Sequence, residues 1–550
     1  MTREQPTVTL DDGLTPPSPL LRRELLVVLL AAFAVPLALC PSLLTSPASG
    51  LADGRPFATS HFWIADHLWA HWMQGKILPG TSTILTHPTL LEVRYIGWPL
   101  ILLGFVFRLV MPSIAAFNLA FVVLMAAGSM AAFALARRLT GATWPSAVAG
   151  LLFGNSAYVL TTVYNGHVYS MFVCWIPLAL LLAHRALATG RYRDYIGLLL
   201  VSATAVLDNP YHGAVAMGWI CLFALLHAIR PATRARALRA GLVVVVMLAG
   251  SAAPVPYFVT DLNRDVEHFV HLGVAVPGPD CGAALEARVG KEEAARAMEG
   301  VYRQALDPVS LVLPGRAPAT NPSEGLVEST AHNLVRDPIH TVYFGIPFLL
   351  LALVPLIRRR RWTASTGLLL VGSGIFFVAA LGPSLILNGE QICVQGRPIW
   401  LPYAVALRFL SFLWNMGGIY RWSVGASLGL GLLGAVGLIE IQRLLRPPWG
   451  RVATAGIGLL ILADIVFLGP TPLPLRELPM ERPPCMEWLR QRDPRGAVVE
   501  LADWVPVGYE TRVNLKPLSY LRQWQHGHPV ARRFDAFQRH TPGTPPRPDT

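Results

Sequence analysis

Five short arginine clusters recur along this chain, and each is separated from the next by an even number of apolar spans. They are Arg137-Arg138; Arg185, Arg191 and Arg193; Arg230, Arg234, Arg236 and Arg239; Arg358 to Arg361; and Arg443, Arg446 and Arg451. The connections between them carry Asp, Asn and His instead, as in Asn165-Gly166-His167 and Asp208-Asn209-Pro210-Tyr211-His212. Such alternation marks the two faces of a membrane, because arginine accumulates in cytoplasmic loops and sets the orientation of the chain. The opposite face then collects the groups able to do chemistry.

Composition agrees with a bilayer solvent. Of 550 residues, 53% are hydrophobic and only 14% charged, and mean hydropathy is +0.46. Runs of about twenty apolar residues, enough to cross a bilayer core, recur through most of the chain. A net charge of +12 invites comparison with nucleic-acid-binding proteins. Here, however, the arginines sit at the ends of apolar spans rather than along one soluble face, so no nucleic-acid partner is expected. The first span, 25–44, follows Arg22-Arg23-Glu24; it is too long for a signal-peptide core and lacks a small-x-small cleavage site, so a retained anchor is expected. Among six cysteines, Cys40, Cys174 and Cys221 fall inside apolar spans. Cys281, Cys393 and Cys485 fall on the external side, where an oxidising compartment allows one disulfide.

Placing the basic clusters inside predicts an all-α polytopic membrane protein of about eleven transmembrane helices, within a range of 10–13. The spans are 25–44, 114–136, 144–163, 169–188, 194–209, 212–229, 238–259, 341–357, 364–386, 422–441 and 452–470. The stretches 97–111 and 400–418 break the charge pattern if they cross, so they are expected to lie at the external surface. This divides the chain into a cytoplasmic tail (1–24), a transmembrane domain (25–470), a small α/β-like extracytoplasmic segment (471–540) and a disordered end (541–550). The transmembrane domain contains a first external loop (45–113) and a large external loop (260–340), the latter with a helix near 282–304. The C-terminal segment is expected to hold a short helix at 486–491 and a strand at 497–502. Thirteen of the fifteen histidines then lie outside or at external helix ends, all except His184 and His227.

The order of several short pieces carries a resemblance. A long aromatic first loop, His61-Phe62-Trp63-Ile64-Ala65-Asp66-His67, precedes the bundle. Then come Asp307-Pro308-Val309-Ser310-Leu311; Tyr343-Phe344-Gly345 opening a span; Leu381-Gly382-Pro383 closing the next; Leu401-Pro402; Arg421 at a helix mouth; and Tyr520-Leu521-Arg522-Gln523-Trp524-Gln525-His526 in the tail. In this order they resemble the GT-C membrane glycosyltransferases, and in finer pattern the bacterial YfhO-like polytopic membrane proteins. The odd number of spans places the N-terminus in the cytoplasm and the C-terminus outside, and the resemblance implies a bacterial-type plasma-membrane enzyme. It implies inverting transfer of a sugar from a polyprenyl-phosphate donor to an envelope glycan or lipid acceptor. The first loop lacks the adjacent Asp-Glu pair usual in such enzymes, and the tail is shorter than in similar proteins.

In that chemistry a carboxylate takes the acceptor proton, and a base must lie within hydrogen-bond reach of it. The first loop offers Asp66, Asp53 and Glu92. Asp66 is expected between Trp63 and Trp69, partly desolvated; Asp53 beside Gly54 reads equally as a turn residue. His67 and His71 share a helix face that suits a metal, but no third ligand accompanies them, and interfacial His and Trp often just occupy the headgroup layer. No metal is therefore assigned, and no cofactor beyond the lipid-linked donor. Asp208 and His212 flank a turn whose Asn-Pro explains itself structurally, yet both are candidate acceptor-binding groups; His167 stands in a similar place. Arg421, against the positive-inside trend, suits a lipid phosphate through its planar fork or simple snorkelling. Arg408 and Arg264 are weaker alternatives, and His332 lies in the large external loop. Asp464, the lone carboxylate deep in a span, reads as either functional or interhelical glue. Two other functions compete with transfer: a lipid or polysaccharide transporter, for which no internal repeat is found, and a non-catalytic partner in envelope polysaccharide assembly.

Overall fold

The computed structural model describes residues 21–52, 58–75, 81–82, 91–92, 97–164, 170–252, 305–313, 342–358, 364–387, 390–395, 397–409, 419–445, 448–469, 471, 473–475, 478–492 and 523–525. They are mostly helical. Helices stand at the predicted span positions: Arg22–Leu39, Ser113–Thr140, Thr143–Gly154 followed by Ala157–Tyr164, Trp175–Thr189, Tyr192–Asp208, Pro210–Ala228, Arg234–Ala252, Ile346–Ile357, Ala364–Ala380, Ser423–Leu444 and Trp449–Leu468. Among the described residues five helical segments are long and apolar enough to cross a membrane: Ser113–Thr140, Thr143–Tyr164, Pro210–Ala228, Ile419–Leu444 and Trp449–Leu468. The Ile346–Ile357 helix has 12 residues, or about 18 Å of rise, against a hydrocarbon core of roughly 30 Å. Helix placement follows the apolar runs, while length and composition together support five crossings.

The chain divides into two compact units, one of residues 1–41 and 122–475, the other of 42–121 and 476–550. The first is the larger helical bundle. Lipid tails are as apolar as leucine, so close packing rather than burial from water must hold such helices together. Small residues allow it. On the Ser423–Leu444 helix, a Cβ at Gly425 would stand 2.6 Å from the Phe376 ring, and one at Gly429 would collide with Ser373 and Trp219. The Trp219 indole N–H donates to the Gly425 carbonyl at 3.3 Å. A second core gathers Ala179, Ala183, Leu198, Ala216, Ile220 and Val244 from four neighbouring helices.

Arginines of these clusters also finish helices. Arg236 donates to the Leu187 and Ala188 carbonyls at 3.1 and 2.7 Å, satisfying acceptors that the end of the Trp175–Thr189 helix leaves without intrahelical partners. Arg185 pairs with buried Asp194 at 3.1 Å. Asp464 meets Tyr343 and faces Gly345, whose φ of +80° and missing side chain leave room for the carboxylate at the start of the Ile346–Ile357 helix. The Tyr343 contact links the approach to this helix with the Trp449–Leu468 helix, while one Asp464 oxygen has no hydrogen-bond partner.

Two departures from the expected boundaries have clear causes. The predicted span 364–386 ends as helix at Ala380, because Gly382 turns at φ +78° and Pro383 cannot continue a helix. The chain then forms short antiparallel pairs, Ile386–Leu387 with Glu390–Gln391 and Cys393–Val394 with Arg397–Pro398, closed by a bridge between Ser384 and Trp400. An all-α reading did not include this β structure within the transmembrane domain. Cys393 is in a disulfide, and Cys485 is free.

The second unit joins pieces far apart in sequence. Gly50–Leu51 pairs antiparallel with Leu478–Pro479, and the Met480 amide donates to the Ser49 carbonyl at 3.0 Å. The Ala58–Trp72 and Trp98–Arg108 helices pack through Ala65, Leu68 and Ile101. Leu102, Val106, Leu109 and Val110 remain exposed. The 400–418 stretch is helical at Pro402–Phe409. A short helix at Pro484–Arg490 matches the expected 486–491, whereas the 282–304 helix and the 497–502 strand lie outside the described residues.

Candidate functional site

Within the larger unit, a buried polar cluster forms where the Tyr192–Asp208 and Pro210–Ala228 helices meet. Pro210 disfavours helical backbone at the preceding residue, and Asn209 is extended at φ −149°, ψ 114°. Its side chain then caps the next helix by accepting from the Tyr211 amide at 2.9 Å, with Pro at the first helical position. Its amide nitrogen donates to Ser170 Oγ at 3.0 Å. This turn holds Asp208 and His212 on adjoining helix ends, both at 0% exposure.

Asp208 is only half satisfied. One oxygen accepts from the Trp175 indole N–H at 2.7 Å, and the other has no hydrogen-bond partner. The Ser170 and Phe172 carbonyls lie beside the His212 ring, but neither ring nitrogen makes a hydrogen bond of good geometry. A buried polar group left unmatched costs about 1–3 kcal/mol, and such groups in native proteins call for a functional or structural reason.

Arg421 stands beside this turn. It lies in the 3₁₀ turn Ile419–Trp422, which leads into the Ser423–Leu444 helix. Its guanidinium carbon is 5.1 Å from the centre of the Tyr211 ring and 5.7 Å from that of Tyr420. Nε donates to the Tyr420 hydroxyl at 3.3 Å, and the charge acts on His212. Around it Tyr211, Tyr403 and Ile419 pack together with Trp422. The arrangement offers a cation held against aromatic faces and acting on an imidazole.

Asp66, in the smaller unit, sits between Trp63 and Trp69 on the Ala58–Trp72 helix and forms an ion pair with Arg108. That partner is not evident from the sequence, and a neighbouring cation favours the ionised form and makes the carboxylate a weaker base. Arg108 also stacks over Trp69 at 5.3 Å. His67 stacks on Trp63 at 4.5 Å and lies 4.1 Å from the His71 ring. One His71 nitrogen already meets the His67 carbonyl at 3.0 Å. Among the described residues no group of three or more His, Cys, Asp or Glu is placed to hold a metal.

Burial, then His71, lowers the His67 pKa to about 4. A folded-state value below the unfolded one of about 6.5 means the unfolded chain binds the proton first as pH falls. The contribution of His67 to stability is therefore complete above about pH 6.5 and is lost toward about pH 4. Melting temperature in detergent should drop across that window, and His67→Phe, which keeps a ring on Trp63, should shrink the drop. An identical drop in the variant would assign it to other groups.

Asp53, His167, Asn165, Arg264 and His332 lie outside the described residues, as do the side chains of Glu92 and Arg408. The structure thus gathers Asp208, His212 and Arg421 in one unit, and Asp66 with His67 in the other. Trp175 and Arg108 were missed as partners. Neither residue sits in a motif, and each finds its carboxylate only through folding.

No family model matches this chain, and no curated protein does. Among solved structures, the apo oligosaccharyltransferase of Archaeoglobus fulgidus is 12% identical, with 93% of this chain and 65% of that one aligned and a TM-score of 0.48. The same enzyme tethered to an acceptor peptide with an NVT sequon is 14% identical, covering 92% and 64%, with a TM-score of 0.45. The archaeal oligosaccharyltransferase AglB from that organism, in complex with an inhibitory peptide and a dolichol-phosphate, is 14% identical over 86% and 58%, with a TM-score of 0.46. The chain therefore spans under two thirds of the length of these proteins, and a likeness at this level assigns no residue a role.

Proposed function

We propose that this chain is a membrane glycosyltransferase of GT-C type that moves a sugar from a polyprenyl-phosphate donor to an envelope glycan or lipid acceptor on the extracytoplasmic face. The observation that carries the reading is the pair of fully buried polar groups at one turn, Asp208 with one oxygen unpartnered and His212 under the charge of Arg421. In the reaction a first-loop carboxylate, Asp66 or Asp53, takes the proton of the acceptor hydroxyl. The hydroxyl oxygen bonds to the anomeric carbon as the bond to the phosphate oxygen breaks, and the electron pair leaves on the lipid phosphate. Arg421 binds that phosphate, while Asp208, His212, His167 and His67 bind sugar or acceptor hydroxyls. On this reading the protein crosses a bacterial-type plasma membrane about eleven times, five of the crossings being helices of full membrane length among the described residues, with its N-terminus inside and its C-terminus outside.

A second reading, a non-catalytic partner in envelope polysaccharide assembly, is favoured by the engagement of Asp66 with Arg108. Membrane vesicles carrying the full chain, given labelled undecaprenyl-phosphate-linked glucose, should deplete the lipid-bound label, whereas an Asp53→Asn, Asp66→Asn double variant should not. Equal depletion by both would remove the base assignment. Reporter fusions within 260–340 should read as external, and a cytoplasmic signal would overturn the topology.

A further inference from the structure

A cationic corner lies in the larger unit at the far end of the Tyr192–Asp208 helix from Asp208, about 24 Å away along its axis. The Tyr195 hydroxyl stands between the Ala186 and Arg236 carbonyls, at 3.3 and 3.2 Å. It thereby ties together the ends of the Trp175–Thr189, Tyr192–Asp208 and Arg234–Ala252 helices. Neighbouring arginines are occupied: Arg236 caps the Leu187 and Ala188 carbonyls, Arg185 pairs with Asp194, and Arg234 donates to the Ala228 carbonyl at 3.1 Å. Arg239 differs. It is exposed and makes no ion pair among the described residues. Its guanidinium carbon instead stands 5.8 Å from the centre of the exposed Tyr192 ring.

From this corner two apolar rows run along the helices. Ile196 and Leu200 follow Tyr192 at four-residue steps, and Leu242 and Val246 follow Arg239 three and seven residues on, so each row keeps to one helix face. All four are between 49 and 62% exposed. The two helices pack against each other, with Leu198 and Val244 in one core, so the rows flank a seam. Tyr192 to Leu200 rises about 12 Å, most of one leaflet of a hydrocarbon core roughly 30 Å thick. A guanidinium held against an aromatic ring keeps its N–H donors in its own plane, and they match phosphate oxygens in pairs. Snorkelling alone would bring an arginine to this height, but it implies no choice among headgroups.

We propose that the Arg239–Tyr192 corner binds the phosphodiester of an anionic phospholipid, whose acyl chain lies along the seam of Ile196, Leu200, Leu242 and Val246. The site is separate from the Asp208 turn and does not depend on sugar transfer. Charge complementarity selects the occupant. A basic pocket between helices at a membrane surface suits an anionic headgroup, whereas a zwitterionic headgroup brings its own cation to the phosphate and gains less from Arg239. The seam selects a lipid over a free phosphate, because only a lipid covers its apolar rows.

The test titrates the full chain in detergent with phosphatidylglycerol, and with phosphatidylcholine of the same acyl chains, counting bound lipid by native mass spectrometry. The wild type should prefer phosphatidylglycerol, and Arg239→Gln should weaken that binding about five-fold, the usual worth of one arginine at an anionic surface. Arg239→Lys should fall between them, because it keeps the charge and loses the fork. Arg451→Gln is the charge-matched control: Arg451 is exposed at the start of the Trp449–Leu468 helix, and its loss should leave binding unchanged. Glycerol phosphate, which has the headgroup chemistry without a chain, should not displace the lipid. Equal weakening by Arg239→Gln and Arg451→Gln would reduce the effect to general charge attraction and overturn the site. Unchanged binding in Arg239→Gln, or equal binding of the two lipids by the wild type, would overturn it as well. Displacement by glycerol phosphate would make this a free-phosphate site and remove the role of the seam.

Discussion

Arg421→Gln should lower sugar transfer from undecaprenyl-phosphate-linked glucose by about 10²–10³-fold, the usual cost of deleting a preorganised group aimed at developing charge. The phosphate gains negative charge as the glycosidic bond breaks, so a cation already in place is worth more in the transition state than in the ground state. Arg421 is in place: its guanidinium lies against Tyr211 and Tyr420, and Nε is bonded to the Tyr420 hydroxyl. Arg421→Lys should recover only part of the rate, since an ammonium keeps the charge and loses both the planar fork and the stacking. The measurement is kcat and donor KM for the three proteins at one salt concentration. If Arg421→Gln stays within about two-fold of wild type on both, the arginine serves headgroup contact and the phosphate site lies elsewhere.

Gly425→Leu should have the largest effect on the fold. The added side chain has no space, because even its Cβ would stand 2.6 Å from the Phe376 ring. Overpacking of this kind typically costs about 1–3 kcal/mol and occasionally more. Here the helix cannot slide away freely, since the Gly425 carbonyl accepts from Trp219 and Gly429, one turn on, is equally hemmed in. Gly425 also lies four residues after Arg421, so any displacement of the helix start moves the guanidinium. The expected result is a melting temperature in detergent several degrees lower, together with loss of transfer. Gly456→Leu is the control, because a Cβ there meets nothing within 4 Å; it should leave both unchanged. Equal melting temperatures for Gly425→Leu and wild type would show that the two helices separate at little cost.

What could be read from the chain, and what could not, divides by the distance over which a physical cause acts. Apolar runs dictate helices locally, and Asn209 before Pro210 dictates a break between two of them, so the 208–212 turn was legible, whereas the Asn209 cap on the Tyr211 amide came from the structure. Arg421 stood out because it violates a charge pattern, which is also a property of sequence order. The environment of Asp66 was only half legible. Its neighbours Trp63 and Trp69 follow from helical spacing, but Arg108 reaches it from 42 positions away. The β structure at 384–400 was hidden because its strands are only two residues long and carry no alternation long enough to register.

The sequence by itself determined that this is a chain of apolar helices, since hydrophobicity acts residue by residue against a bilayer; arginine placement adds the expectation of two opposite faces. Only the tertiary structure decided which polar groups share an environment. It joined Trp175 to Asp208 across 33 positions, Asn118 to Ala52 across 66, and Trp63 to Gln523 across 460. Each of these bonds satisfies a buried donor or acceptor whose partner depends on how helices pack, and packing is a property of the whole chain rather than of any segment.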